Sequence, residues 1–232
     1  MLRLEDAVIR NGDFTLRADW SVEEGARVAV IGPSGAGKTT LIEAIAGFRP
    51  LEQGRILWDG RDITGEAPGK RPVAMLFQDG NLFPHLTVAQ NAGLGLRPDL
   101  RLDAEQKARV QTALARVGLA GMEDRKPGAL SGGQQSRAAL ARVLLQDRPL
   151  LLLDEPFAAL GPALKAEMLD LVAALAEETG ATLLMISHDP DDARRIADQA
   201  LLVAEGIAHP PQSTADLLDN PPPALRDYLG EG

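Results

Sequence analysis

Apolar and polar residues alternate near the start of the chain in a pattern that predicts antiparallel strands. Leu2 and Leu4 lie on alternate positions, as do the apolar side chains of residues 14–22. The Asn-Gly pair at residues 11–12 is typical of a tight hairpin turn between such stretches. A third stretch, residues 55–60, ends in Asp-Gly. We therefore expect a small antiparallel layer beside the rest of the fold.

Five later segments are apolar without alternation, which is typical of strands covered on both faces of a sheet. These runs are residues 27–31, 72–77, 150–153, 182–186 and 201–203. Helical spacing follows the first run at residues 40–47, where a glycine ends the pattern, and recurs at 164–175, after a Gly-Pro pair. Buried strands that alternate with helices predict an α/β fold.

Strand patterns are missing from about residue 79 to residue 130. A helix is expected there from Asp103, with apolar residues on one face and Gly118 at its end. We therefore expect a helical subdomain, about 79–130, inserted in a single domain that spans residues 1–206. The remaining residues, 207–232, contain five prolines, and we expect a short tail that is a loop with at most one short helix.

A glycine-rich segment lies between the first buried run and the first helix. It fits the phosphate-loop pattern of Gly, four residues, Gly-Lys and Ser/Thr, and consists of Gly32, Pro33, Ser34, Gly35, Ala36, Gly37, Lys38, Thr39 and Thr40. In this context backbone N–H groups and a helix N-terminus face phosphate oxygens. We expect Lys38 to contact the β- and γ-phosphates of a nucleotide and Thr39 to bind Mg²⁺. The alternative is an ordinary glycine-rich turn, which the flanking strand and helix disfavour.

Charge and composition narrow the classes of function. The net charge of -9 argues against broad nucleic-acid binding, which needs a basic surface. The chain has no cysteine, so it has neither a disulfide framework nor a thiolate metal site. Its first residues are acidic where a signal peptide would be apolar, and no apolar run approaches 18 residues. We expect a soluble, cytosolic chain.

Further polar motifs lie where predicted strands end or a helix begins. Gln78 follows one buried run, Asp154 and Glu155 follow four leucines, and His188 comes after another run. The Ser-Gly-Gly-Gln motif has the form of a capping box and consists of Ser131, Gly132, Gly133 and Gln134. The carboxylates, the histidine and the capping box each have a plain alternative reading, as solvated loop residues, a structural histidine or an ordinary helix cap.

Together these motifs resemble the ATP-binding cassette of ABC transporters, from about residue 2 to residue 206. The motif at residues 130–134, Leu-Ser-Gly-Gly-Gln, distinguishes this family from other phosphate-loop proteins. The resemblance implies a P-loop NTPase core with an antiparallel β layer and an inserted α-helical subdomain. It also implies that the signature contacts the γ-phosphate held by a second copy of the chain, so that a homodimer closes head to tail around two ATP molecules.

The same resemblance implies roles for the strand-end residues. Asp154 would orient the Mg²⁺ shell, to which Thr39 and Gln78 would also contribute, and Glu155 would activate or position the water that attacks the γ-phosphate. Gln78 would also contact that water and link ATP occupancy to the helical subdomain. His188 would donate a hydrogen bond to the γ-phosphate. The expected cofactors are therefore ATP and Mg²⁺.

Three positions depart from the family pattern. Asn11 stands where an aromatic residue usually stacks on adenine, and Phe14 is the nearest ring, so base stacking is in question. Gly161 replaces an aspartate that usually acts across the dimer, which predicts weaker coupling between the two sites. Ser136 replaces a common glutamine after the signature, which is a milder change.

Among cassettes, residues 46–48, 71–78 and 81–91 most resemble the ATP-binding subunits of bacterial thiamine importers. The resemblance implies an integral-membrane permease, a solute-binding protein as an indirect partner, and a location on the cytoplasmic side of the inner membrane. The permease would dock beside Gln78, with candidate contacts at Leu82, Phe83 and Leu86. Open alternatives are an importer for iron, molybdate, sulfate or polyamines, a soluble ABC ATPase without a transport role, and a cassette that binds ATP without turnover.

Overall fold

The computed structural model describes residues 1–78, 80–158 and 160–229, with side chains to residue 226. Residue 79, where the predicted helical subdomain begins, and residues 230–232 of the predicted tail lie outside the described residues. The strands are β1 (Leu2–Asn11), β2 (Phe14–Val22), β3 (Arg27–Ile31), β4 (Gln53–Trp58), β5 (Arg61–Asp62), β6 (Val73–Leu76), β7 (Leu150–Asp154), β8 (Thr182–Ile186), β9 (Gln199–Ala204), β10 (Ile207–Ala208) and β11 (Gln212–Ser213). The helices are α1 (Lys38–Ala46), α2 (Val88–Gly93), α3 (Ala104–Arg116), α4 (Gly132–Leu144), α5 (Pro162–Thr179), α6 (Pro190–Ile196), α7 (Thr214–Asp219) and α8 (Pro223–Leu229).

The described strands form one sheet with a parallel and an antiparallel part. The strand order is β5-β4-β1-β2-β10-β9-β3-β8-β7-β6, and β11 pairs with β9. Strands β9, β3, β8, β7 and β6 run parallel, whereas β1, β2, β4 and β5 pair antiparallel. The predicted α/β core with an antiparallel layer is confirmed.

The predicted hairpin joins β1 and β2, although its turn lies one residue later than the Asn-Gly signal suggested. Asn11 pairs with Phe14, so the two turn residues are Gly12 and Asp13. Gly12 has a φ of 60°, a backbone conformation that favours glycine.

The apolar core lies on both faces of the parallel strands. Val28 and Val30 of β3 face one cluster, which includes α1 and the antiparallel layer. Ala29 and Ile31 face the other cluster, beneath the remaining helices. Because side chains alternate along a strand, each apolar run supplies both clusters. The parallel strands are therefore buried on both faces, as their unbroken apolar sequences predict.

Helices occupy the segment between β6 and β7. Helix α3 follows Asp103 as predicted, with Val110, Ala113 and Leu114 buried. Helix α2, which the apolar pattern did not reveal, begins with a capping box between Thr87 and Gln90. That Thr-x-x-Gln spacing was a readable start signal. No helix in the described part of the chain is long and apolar enough to cross a membrane.

The expectation of a loop with at most one short helix after residue 206 is wrong. Two short strands and the helices α7 and α8 lie there. The Ser213 side chain caps α7 by accepting a hydrogen bond from the Asp216 N–H, and Pro223 stands at the start of α8, a position that tolerates proline. Leu217 and Leu225 are buried against the core, so prolines here begin elements rather than prevent them.

Candidate nucleotide-binding and hydrolysis site

Four parallel strands bring candidate residues to one edge of the sheet. The phosphate loop follows β3, His188 follows β8, the Asp154-Glu155 pair ends β7, and Gln78 follows β6. These strands are neighbours in the order β3-β8-β7-β6. The carboxyl ends of parallel strands are where α/β proteins bind ligands.

The phosphate loop is held by its own contacts. Lys38 is only 5% exposed, and its Nζ donates to the carbonyl oxygens of Gly32 (2.7 Å) and Pro33 (2.9 Å). Burial lowers the pKa of Lys38, and the nearby carboxylates of Glu155 and Asp154 oppose that shift. Gly32 has a φ of 143°, and a Cβ there would lie 2.1 Å from the Val203 carbonyl oxygen, so the position requires glycine. The loop therefore keeps a buried cation at its centre.

Asp154 and Thr39 form the candidate magnesium pair. Asp154 is 6% exposed, and the Thr39 hydroxyl donates to its Oδ1 at 3.3 Å. Burial raises the pKa of Asp154, against the hydrogen bond from Thr39. Within the described residues, no group of three or more His, Cys, Asp or Glu side chains could hold a metal by itself. A single carboxylate and a hydroxyl suit Mg²⁺, which takes few protein ligands and completes its shell with water and phosphate oxygens.

Glu155 and His188 contact each other across the ends of β7 and β8. The Nε2 atom of His188 lies against Oε1 of Glu155. Glu155 has a φ of 45°, which is uncommon for a residue with a side chain and is often found at functional sites. The two residues therefore form one polar unit beside the phosphate loop.

A cavity of about 370 Å³ collects most of these groups. Its lining consists of Asn11, Phe14, Ser34, Gly35, Gly37, Lys38, Thr39, Thr40, Glu155 and His188. The Phe14 ring packs against Gly37, where a Cβ would lie 2.7 Å from the ring. Phe14 therefore supports the phosphate loop, and both it and Asn11 border the space beside it.

Gln78 and the signature residues do not line this cavity. Ser131 caps α4 through the predicted capping box with Gln134, while its own side chain and Gly132 are exposed. Gly133 is buried, and a Cβ there would meet the side chain of Leu164. The single chain thus brings together the phosphate loop, Glu155 and His188, and leaves the signature on a separate surface.

Arg142 makes contacts that could not be predicted from the sequence. From α4 it donates to the carbonyl oxygens of Asn81 and Gly80, both at 2.7 Å. It thereby ties the segment after Gln78 to the signature helix. A contact to backbone atoms some 60 residues away leaves no periodic signal, so only the structure could show it.

Comparison with known proteins agrees with this geometry. Residues 16–158 match the ABC transporter family, and the chain belongs to that family. It is 68% identical over 230 residues to the thiamine import ATP-binding protein ThiQ of Ruegeria sp. (strain TM1040), covering 99% of this chain and all of that one. The identity to the protein of the same name from Cereibacter sphaeroides is 64%, with the same coverage.

Solved structures agree with the fold. A nucleotide-free ATP-binding cassette from an ABC transporter has a TM-score of 0.88 at 26% identity, covering 99% of this chain and 98% of that one. A dimeric cassette in a post-hydrolysis state, bound to ADP and Pi, has a TM-score of 0.81 at 27% identity, covering 92% and 99%. The predicted membership of the ABC family is confirmed.

Proposed function

We propose that this chain is the ATP-hydrolysing subunit of a bacterial thiamine importer. The observation that carries the choice of substrate is its full-length identity of 68% to a thiamine import ATP-binding protein. The buried Lys38, the Thr39–Asp154 pair and the Glu155–His188 contact support ATP hydrolysis as the chemistry.

Each group at the sheet edge has a distinct task in this proposal. The loop N–H groups and the Lys38 ammonium would hold the phosphates, and Thr39, Asp154 and Gln78 would hold the magnesium ion. When bound, Mg²⁺ neutralises charge that develops on the transferred phosphoryl group. Glu155 orients the attacking water and acts as its base, and His188 donates a hydrogen bond to the γ-phosphate. The contact between the Glu155 and His188 side chains supports the proposal that both act at the same phosphate group.

Two copies of the chain complete each site. Ser131 and Gly132 are exposed at the start of α4, so their surface is available to the γ-phosphate held by a partner. The division of the chain in this proposal is a single cassette of residues 1–206 with a helical subdomain inserted at about 79–130, followed by a short Pro-containing tail, 207–232. The assembly works with a permease at the cytoplasmic face of the inner membrane. A solute-binding protein delivers the solute to that permease.

A complementation experiment tests the proposal. A Ruegeria strain that lacks its ThiQ protein and cannot make thiamine is given this chain, and growth is measured at trace thiamine. We expect the wild-type chain to restore growth and uptake of labelled thiamine, and Glu155→Gln to restore neither. As a control, the strain's own ThiQ must restore growth. If it does and this chain is expressed without thiamine uptake, the result would instead favour an importer for another solute or an ABC ATPase without a transport role.

A further inference from the structure

A second polar cluster, formed by Lys165, Ser187, Asp189 and Asp192, lies next to His188. The Nζ atom of Lys165, in the first turn of α5, is 2.7 Å from Asp189 Oδ2 and 2.8 Å from Asp192 Oδ1. Asp189 is the N-cap of α6 and Asp192 lies in its first turn. One ammonium group therefore joins the beginnings of two helices.

The cluster holds the backbone on both sides of His188. The Ser187 hydroxyl donates to Asp192 Oδ2 at 2.8 Å and accepts from the Asp189 N–H at 3.1 Å. Ser187 is itself buried. Both chain neighbours of His188 therefore belong to one hydrogen-bonded network that includes the Lys165 ammonium group.

Lys165 and residues that follow Glu155 line the same cavity. Helix α5 follows those residues directly, and this second cavity, of about 370 Å³, lies between the two strand ends. Its lining includes Glu155, Phe157, Lys165, His188, Asp189 and Asp192. The cluster therefore shares one space with both members of the Glu155–His188 contact.

The charges in the cluster stabilise one another. Burial alone would lower the pKa of Lys165, but its hydrogen bonds to Asp189 and Asp192 outweigh burial and raise it. The hydrogen bond from Lys165 lowers the pKa of Asp189. The pKa shifts of Lys165 and Asp189 therefore both favour their charged forms.

A second ion pair joins the same two helices and serves as a control. Arg195 of α6 donates from Nε and Nη2 to the two oxygens of Asp170 of α5, at 2.7 and 2.6 Å. Both side chains are exposed, and the pair lies at the far end of α6 from His188. If only helix packing mattered, the two contacts would be interchangeable.

We propose that Lys165 is a positioning residue for hydrolysis, which holds His188 in place through Asp189, Asp192 and Ser187. This inference rests on the proposed function, because it assigns Lys165 a role in the turnover of ATP. Displacement of a catalytic group by about 1 Å costs up to about 100-fold in rate. Loss of a supporting contact one step removed from the reacting atoms is expected to cost about tenfold.

The experiment compares Lys165→Met, Lys165→Arg and Arg195→Met in the full chain, with kcat, KM for ATP, ATP affinity and melting temperature as readouts. We expect Lys165→Met to lower kcat about tenfold with KM and ATP affinity within about twofold. Lys165→Arg should recover most of kcat because it keeps the charge, and Arg195→Met should match the wild type.

A double-mutant cycle with His188→Ala identifies the route of the effect. If Lys165 acts through His188, Lys165→Met adds no further loss to His188→Ala. A full tenfold loss in that background, or equal losses from Lys165→Met and Arg195→Met, would overturn the inference. If Lys165→Met does not fold, Asp192→Asn replaces it in the same cycle, since it keeps the Lys165–Asp189 pair. Absence of ATPase activity in the wild-type chain would instead count against the proposed function.

Discussion

The phosphate loop and the signature both place glycines at the N-terminus of a helix, yet the chain treats the two helices differently. Gly37 is the N-cap of α1, and none of the described side chains caps that helix. Ser131 caps α4 and forms a complete capping box with Gln134. The first four N–H groups of a helix lack internal partners. Those of α1 therefore have no side-chain cap among the described residues, as the proposed phosphate binding requires, whereas one of those of α4 is bound by Ser131.

Burial separates the two regions in the same way. Lys38 is buried and bound to loop carbonyls, and Asp154 is buried beside Thr39. At the other helix Ser131 and Gly132 are exposed, and a Cβ on Gly132 would meet open space. A side-chain cap lets α4 remain ordered while its first turn faces outward. In the proposed function the chain thus builds an internal half of each site, with Lys38, Thr39, Asp154, Glu155 and His188, and presents Ser131 and Gly132 as a surface half.

The largest effect is expected from the variant that removes the Glu155 carboxylate from the internal half. Glu155→Gln keeps the shape of the side chain but removes its basicity, so we expect turnover to fall by about 10²- to 10⁴-fold while ATP binding persists. The variant should accumulate as an ATP-bound dimer, detectable by sizing chromatography. Glu177→Gln, at an exposed position on α5, is the control. A variant that binds ATP and elutes only as a monomer would contradict the two-copy site.

The second prediction tests the surface half. Gly132→Asp places a carboxylate where the proposed partner's γ-phosphate lies, and juxtaposed like charges cost several kcal/mol. We expect ATP affinity of the single chain to stay within about twofold while dimerisation and turnover fall by at least about 100-fold. Gly128→Asp adds the same charge at another glycine with open space around it and should behave as the wild type. Normal turnover by Gly132→Asp would show that α4 does not face a phosphate.

The third prediction concerns the cation of the internal half. Lys38→Ala removes a charged donor aimed into the phosphate loop, and hydrogen bonds to charged groups contribute about 1.5–3 kcal/mol. We expect ATP affinity to fall by about 10- to 100-fold, as measured by calorimetry. The variant removes a charge that burial disfavours but also the donor to the Gly32 and Pro33 carbonyl oxygens. Because these two effects oppose each other, the melting temperature should change little. Lys70→Ala, at an exposed position, is the control, and loss of turnover with unchanged affinity would contradict the assigned role.

Local sequence patterns predicted the residues of the internal half, because each of its parts consists of consecutive residues. The apolar run of β7 and its two terminal carboxylates are adjacent in the chain, as are β3 and the phosphate loop. The capping box of α4 is likewise a four-residue pattern. Their meeting at one edge follows from the parallel order of the strands, which an α/β alternation implies.

Contacts between distant segments could not be predicted from the sequence. Lys165 and Arg142 look like ordinary polar residues on amphipathic helices, and their partners lie 24 and about 60 residues away. The helices after residue 206 were missed for another reason. Prolines suggested a loop, but tertiary burial of Leu217 and Leu225 stabilises helices that begin at a serine cap and a proline.

The smallest expected effect concerns the proposed helical subdomain, which precedes the signature helix α4 in the chain. Phe83 is 47% exposed, whereas Leu82 packs partly against the core, so Phe83 is the better candidate for the permease contact. Its N–H and carbonyl are bound by the buried Asn91 side chain, and these backbone contacts survive a change of side chain. Phe83→Asn should therefore shift the melting temperature little, since substitutions at exposed positions usually change stability by less than about 0.5 kcal/mol.

Permease-stimulated ATPase should respond to that change while basal ATPase does not. An interface residue that matters contributes about 1 kcal/mol or more, so we expect stimulation to fall by about fivefold. Ile207→Asn is the matched control, because Ile207 is also an exposed apolar residue, 43% accessible, but lies on the strand β10 of the sheet. Equal loss of stimulated activity, basal activity and stability would assign Phe83 to the core. Unchanged stimulation would move the permease contact to another part of the surface.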